Sequence, residues 1–541
     1  MRRLRHIDLP RVLWIDAISI HQEDGHEKAQ QVQMMGDIYK KCRLCIIWLG
    51  EDAGITDDDL TSTVAQQVVE MLHMLAKGSH LHEMPCFSVI EGQRTDIPES
   101  YKPHFLALAE FLSLPWWRRI WIIQEMALPK TINFVYSSKE FSYDVLRSAV
   151  KILNSHAGGC CKDVRTSLRA EAFDPLLAVQ EQVDPLVSIR ETQKQLLQTR
   201  LSQLRRQFHA SEATNVKDLF YGLLGLVTSW SSKPLLPDYE ADDRKAIAEA
   251  VYTCFLEEGG METLVGQRTL DGCRDFPSWI PDACCTTTKN QWVTIEERRL
   301  TMASNFSASG KHVQDTSILT VTEDQTLRIQ TKFVDKIEKF GPTCDALGDW
   351  QNAPDVLRQW MEMVGLGAEG WPQEPPAIGS KGDILWRTIM NNSIETDNKE
   401  CLTYRPATQD DYYSLKKLWD LLLMLSLIIS GPLKLDLDSH DKLQIEGSTT
   451  IYHVVVCLLQ RQLFVTERGM IGLASGDIKV GDEVHILLGC QTPFILRSSE
   501  EASSWDLPLY TVIGNGYVHQ VMYGEAFDNA EFGPVQSIVL E

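Results

Sequence analysis

Between Leu13 and Glu51 the chain reads LWIDAISIHQEDGHEKAQQVQMMGDIYKKCRLCIIWLGE, two apolar runs separated by a polar stretch of helical period. Val12 to Ser19 is mainly apolar, the pattern of a strand buried on both faces. Glu23, Asp24 and Glu27 then favour a helix start, because carboxylates complement the unpaired N–H groups and the positive end of the helix dipole. Val32, Met35, Tyr39 and Cys42 fall on one face of that helix. Leu44 to Leu49 is a second apolar run, ended by Gly50. Two buried strands joined by a helix predict a parallel pair with a right-handed crossover. Ligands of open parallel sheets bind beyond the C-terminal strand ends, where His21, Gln22, Glu51 and Asp52 are expected.

Further along, Thr56 or Asp57 is expected to cap a helix whose Val64, Val68, Met71, Leu72 and Leu75 share a face. Gly78 to Lys102 reads as a loop, and Phe105 to Leu112 as a short amphipathic helix. Pro115 suits the first turn of another helix, predicted to reach about Leu128. Thr131 to Tyr136 alternates like a strand, and Phe141 to Leu153 has helical period. Residues 1–153 therefore read as an α/β domain. Residues 154–290 read as mostly helical, with apolar stripes at Leu197, Leu201, Leu204 and Phe208 and at Ile247, Val251, Cys254 and Phe255. A compact helix is expected over Asp218 to Leu226, and PSWIPD (Pro277 to Asp282) is a proline-framed turn. Residues 291–541 form a mixed α+β region. Leu327 to Val334 alternates like a sheet strand, and the end, from about residue 450, is β-rich. There Gly469 to Arg497 and Tyr510 to Ala526 break into short strands at glycines, predicting a small barrel or sandwich.

The 541 residues are 44% hydrophobic and 23% charged, which is globular composition with room for two to four domains. A net charge of −22 repels nucleic-acid phosphates and anionic lipid, so neither nucleic acid nor membrane is expected as a partner. The thirteen cysteines are odd in number and scattered, which predicts reduced thiols. MRRLRHIDLPR is basic but lacks the apolar run of a signal peptide. Leu421 to Ile429 is too short to span a bilayer and reads as a buried helix. A cytoplasmic location is expected.

Walker A, GxGxxG and HExxH patterns are all missing from the sequence, so the common nucleotide and zinc-protease signatures do not apply. Cys42-x2-Cys45 has no second Cys or His pair at finger spacing and reads as packing thiols. Cys160-Cys161 and Cys284-Cys285 read the same way. His80, His82 and Glu83 could reach a metal, but read better as a solvated loop. No metal and no bound cofactor is expected. Trp121 and Glu125 stand four apart, which puts the indole and the carboxylate on one helix face. An aromatic wall can raise a carboxyl pKa or frame a planar ligand. The alternative is that Trp121 is core and Glu125 pairs with Arg118 or Arg119. Asp16, inside an apolar run, needs partners if buried. It serves either structure or a site.

The WIDA-to-WLG segment followed by WWRRIWIIQE resembles the fungal heterokaryon incompatibility (HET) domain over roughly residues 10–127. DLFYGLLGL at Asp218, PDY at Pro237, PSWIPD and the Gly-rich end extend that resemblance loosely over most of the chain. It implies a fungal protein of non-self recognition whose HET domain triggers programmed cell death, an innate-immunity-like response. It further implies a fold akin to the TIR domain, a flavodoxin-like parallel sheet. Several TIR proteins cleave NAD with a helix-borne Glu in a W-x3-E pattern, which Trp121 and Glu125 match. By that analogy Glu125 is the catalytic carboxylate of an NAD+ glycohydrolase, NAD is a substrate, and Trp121, Asp16 and Gln22 line the ligand site. Self-association through the HET domain is expected to switch it on. A third reading is a non-catalytic interaction scaffold. HET domains usually open with a strand around a Tyr-Trp-Gly segment. None precedes Val12 here: either the sequence is truncated or this member has lost its first strand, and such a loss would leave the neighbouring strand as an unpaired edge.

Overall fold

The computed structural model describes residues 10–541 except 11, 52–62, 88–94, 158, 162–163, 166–167, 259–260, 269–272, 274, 286–292, 345–352, 368–370, 397–402, 418, 421–448, 476 and 504. The apolar run Leu421 to Ile429, the expected caps Thr56 and Asp57, and Asp52 lie outside the described residues.

The N-terminal region is α/β. Helix α1 (Gly25–Lys41) is capped by the Asp24 side chain, which accepts from the Glu27 N–H. Strand β1 (Cys45–Trp48) follows. Helix α2 (Val64–Leu75) is capped by Thr63. Its Val68, Met71, Leu72 and Leu75 are fully buried, worth roughly 6–12 kcal/mol of gross apolar burial for the four side chains. Helix α3 (Lys102–Ser113) packs against it. Helix α4 (Ile122–Ala127), strands β2 (Ile132–Tyr136) and β3 (Lys139–Ser142), and helix α5 (Tyr143–Ala157) complete the unit. The sheet has the order β1-β2-β3, with β1 parallel and β3 antiparallel to β2.

Two expectations are corrected here. Val12 to Ser19 is not a strand: Asp16–Ser19 forms one helical turn. The Asp16 carboxylate accepts from the Ala17 N–H and the Ser19 hydroxyl from the Ile15 N–H, so local side chains satisfy backbone groups that a ladder would need. Val12 stands almost fully exposed. The parallel partner of β1 is therefore β2, reached through α2, α3 and α4, and β1 is a sheet edge among the described residues. The segment from Pro115 to Leu128 is not one helix either. A 3-10 turn (Pro115–Arg118) stops where Arg119 bridges to Glu212, whose carbonyl accepts from the Ile120 N–H at 2.9 Å. Only then does α4 begin.

A helical stretch follows, including α6 (Asp184–Lys194), α7 (Asp218–Tyr221) and α8 (Asp243–Glu258). Helix α6 packs on α4, and the buried Arg190 guanidinium donates to the carbonyls of Met126 and Lys130.

The C-terminal region is built on a closed barrel. Strand β4 (Leu327–Cys344) is 18 residues long. It is followed by β5 (Arg461–Thr466), β6 (Ile471–Ser475), β7 (Glu483–Leu487), β8 (Phe494–Ala502), β9 (Pro508–Val518) and β10 (Val535–Leu540). Around the barrel the pairing runs β4-β5-β6-β9-β8-β7 and back to β4. Strand β10 fills the gap left by β5 and β6, antiparallel to β4 and parallel to β9. Closure leaves these strands few free edges. Val334, Ile337, Phe464, Val484, Ile486, Ile495 and Val518 share a fully buried cluster.

The PSWIPD turn ties the helical stretch to the barrel. The Ser278 hydroxyl accepts from the Val512 N–H at 2.8 Å and donates to the Glu541 carbonyl, while the Trp279 indole donates to Gln325 O. Among the described residues no helix is long and apolar enough to cross a membrane.

Candidate functional site

The segment WWRRIWIIQE sits where the sheet, α1 and the α7 region meet. Pro115 starts the 3-10 turn, and the buried Trp117 indole donates to Phe111 O at 2.8 Å. Trp116 lies edge-on to Trp117, with centroids 4.8 Å apart, and edge-on to Phe134 of β2. These contacts hold the Trp116 indole so that its Nε1–H donates to Glu125 Oε2 at 3.0 Å.

Glu125 is thus helix-borne and half-buried, with an indole donor on its carboxylate. Burial pushes its carboxyl up. The Trp116 hydrogen bond and the Arg119 charge pull it down, and the neighbouring Asp16 charge raises it again. Tyr39, on the inner side of α1, is also pushed up by burial and by the Glu125 charge. Trp14 stacks edge-on against Tyr39 at 5.9 Å. Two of the predicted site residues, Asp16 and Glu125, are therefore brought together, with Tyr39 and Arg119 beside them. Gln22 is exposed, and its amide donates to the backbone carbonyl of Asp16 at 3.3 Å. It braces the turn that carries Asp16.

Trp121 does not do what the four-residue spacing predicts. Its indole donates to Asp218 Oδ2 at 3.3 Å, not toward Glu125. The Tyr239 hydroxyl donates to the other oxygen, Oδ1, at 2.6 Å. Lys28 of α1 lies over the Tyr239 ring, 4.1 Å from its centroid. Burial raises the Asp218 carboxyl, against the pull of Tyr239, Lys28 and Trp121. Arg118 does not pair with Glu125; it faces Glu212 at 3.6 Å. The residues missed from sequence are Trp116, Tyr39, Asp218 and Tyr239. DLFY and PDY were legible as motifs, but nothing in their spacing tied them to α4.

The backbone beneath this cluster is closely packed. Gly36 of α1 meets Gly225 with no room for a Cβ on either. The fully buried Gln124, next to Glu125, donates to Gly222 O at 2.8 Å. Helix α1, helix α4 and the 222–225 turn thus form one rigid seat for Glu125. The arrangement is a carboxyl held partly out of water, an indole donor on one oxygen, and a second carboxylate and a phenol nearby. Such a group can stabilise developing positive charge or take part in proton exchange.

Cys42 and Cys45 are separate thiols. Cys42 Sγ donates to Tyr39 O at 3.2 Å, and burial pushes the Cys45 thiol up.

Residues 1–125 match the family model described as Heterokaryon incompatibility protein (HET), and residues 387–533 match the Het-6 beta-barrel domain. Strand β4, which the barrel needs for closure, and strand β10, which packs beside it, lie outside the second match. The chain is 22% identical over 583 aligned residues to "Heterokaryon incompatibility protein 6, OR allele" of Neurospora crassa, an alignment covering 96% of this chain and 82% of that protein. No solved structure matches the chain.

Proposed function

We propose, for a chain that is a HET domain-containing heterokaryon incompatibility protein, a role in fungal non-self recognition after cell fusion. The N-terminal α/β region is the effector that triggers cell death, and the helical and barrel regions regulate it. The observation that carries this reading is the pairing of both matched domains in one chain whose alignment with the Neurospora protein covers most of each sequence. Self-association through the HET region, in the cytoplasm, is the proposed trigger. The test is a pairing of fungal strains that differ only in this gene. Fused cells should die or form inviable heterokaryons. Stable, vigorous heterokaryons across divergent alleles would overturn the reading.

A second reading is supported by the setting of Glu125. In it the HET region has a TIR-like chemistry and hydrolyses NAD at the nicotinamide–ribose bond. The N-glycosidic bond breaks with nicotinamide leaving as the neutral base, water supplies the hydroxyl to the ribose carbon and loses its other proton to solvent, and the Glu125 carboxylate stabilises the oxocarbenium-like charge. Trp116 orients Glu125 through its indole N–H, and Trp121 holds the adjacent wall through Asp218. Purified full-length chain at high concentration, incubated with NAD, should release nicotinamide faster than its Glu125→Ala variant. Equal release from the two would end the enzymatic reading and leave the incompatibility reading standing.

A further inference from the structure

Away from Glu125, four metal-ligating side chains from distant parts of the sequence converge on one point. His80 precedes a short 3-10 turn (Leu81–Glu83) after α2, His156 lies in the last turn of α5, and Cys160 and Cys161 follow it. Cys160 Sγ lies 3.1 Å from His156 Nδ1 and 3.2 Å from His80 Nδ1. Cys161 Sγ lies 3.6 Å from His80 Nδ1 and 3.9 Å from Cys160 Sγ. All four donor atoms fall within 4.8 Å of one another.

A tetrahedral zinc ion, with Zn–S near 2.3 Å and Zn–N near 2.0 Å, places its donors roughly 3.3–3.8 Å apart. The observed spacings straddle that range before any ion draws the ligands in. Two thiolates and two imidazoles are the soft-to-borderline set that zinc takes in closed, four-coordinate sites. The surroundings fit too. The Leu81 N–H donates to Cys161 Sγ at 3.3 Å, a backbone donor of the kind that stabilises a coordinated thiolate. His80 is held from both sides, by the His82 ring stacked at 5.2 Å and the His156 ring edge-on at 4.6 Å. Cys161 is buried and Cys160 exposed, so the cluster has a fixed floor and an open side for ion entry.

We propose that His80, His156, Cys160 and Cys161 bind one Zn2+ as a structural site. Binding forms two Zn–S and two Zn–N bonds and releases the two thiol protons to solvent, which leaves the site neutral. Four protein ligands leave no open position for substrate, so the ion is a clamp and not a catalyst. It ties the segment after α2 to the end of α5, two helices that already pack together. It thereby fixes the exit of the α/β region into the helical stretch. This inference is independent of Glu125 and of any NAD chemistry.

The test uses the full chain produced with zinc in the medium, desalted, and assayed for metal by elemental mass spectrometry beside Cys160→Ser. One zinc per wild-type chain, lost in Cys160→Ser, is the expected result. Cys160 is exposed, so its replacement should leave the fold intact, checked by circular dichroism. Independently of any variant, titrating metal-free wild-type chain with Co2+ should produce the intense visible bands of tetrahedral cobalt and a thiolate charge-transfer band, both bleached by Zn2+. Zinc-free protein whose Co2+ spectrum is that of the hydrated ion, or zinc retained equally by Cys160→Ser, would overturn the proposal.

Discussion

Replacing Gly225 by alanine probes the seat beneath Glu125 without touching the carboxylate. A Cβ at Gly225 would overlap Gln124 Oε1 and lie 2.9 Å from both Gln124 Cδ and Gly36 Cα. Gln124 cannot swing aside cheaply, because it is fully buried and donates to Gly222 O. Helix α1 cannot yield either without moving Tyr39 off its place beside Glu125. Overpacking of this kind costs about 1–3 kcal/mol. Stranding the Gly222 carbonyl adds about 1–3 kcal/mol, giving a total of roughly 2–5 kcal/mol. The control is Gly367→Ala, where nothing lies within 4 Å of the new Cβ, and about 0.5 kcal/mol or less is expected. Urea unfolding followed by tryptophan fluorescence reads both variants. With a slope of about 1–3 kcal/mol per molar urea, the Gly225→Ala midpoint should fall by on the order of 1 M or more. Coincident midpoints for the two variants would refute the packing of α1, α4 and the 222–225 turn as one body.

Other consequences are open to measurement. Asp218→Ala removes the acceptor of both the Trp121 indole and the Tyr239 hydroxyl and should cost about 1–3 kcal/mol, with Asp218→Asn costing less because it keeps an acceptor. Wild-type stability in both variants would remove Asp218 as the link between α4 and the PDY segment. The buried His453 ring, 3.3 Å from Met390 O, is held down to about 4 by burial, below the ordinary histidine value of about 6.5. The unfolded chain therefore takes up a proton that the folded one refuses. Stability is complete above about pH 6.5 and falls as the pH drops toward 4, by on the order of 3 kcal/mol. His453→Gln should flatten that slope, and an unchanged slope would refute the assignment. Ser278→Ala strands the Val512 N–H and should lower stability by about 1–2 kcal/mol, read as a shift in the barrel's unfolding midpoint; no shift would show that the turn does not hold the barrel.

Strongly periodic or strictly alternating segments were legible in the sequence: α1, α2, β2, α8 and the start of β4 all lie where the apolar pattern predicts them. Elements decided by distant partners were not. The run at Val12 is apolar enough for a strand, yet Asp16 and Ser19 capture the local backbone. The helix expected from Pro115 breaks at Arg119 because Glu212, far along the chain, offers a backbone partner. That break rotates Trp121 toward Asp218 and hands Glu125 to Trp116, so a four-residue spacing that correctly placed Glu125 on a helix named the wrong indole. The barrel was legible as a β-rich end, but its closure depends on β4, more than a hundred residues before β5. Of the cluster of His80, His156, Cys160 and Cys161, the sequence offered the His80-His82-Glu83 loop and the Cys160-Cys161 pair as unconnected features and did not single out His156, since convergence across some eighty residues leaves no mark in spacing.

The most direct test of the effector role is inducible production of the full chain in a filamentous fungal host, with viability followed after induction. Growth arrest and cell death, with the intact chain present in the soluble fraction, are predicted. Normal growth at confirmed soluble expression would contradict the account.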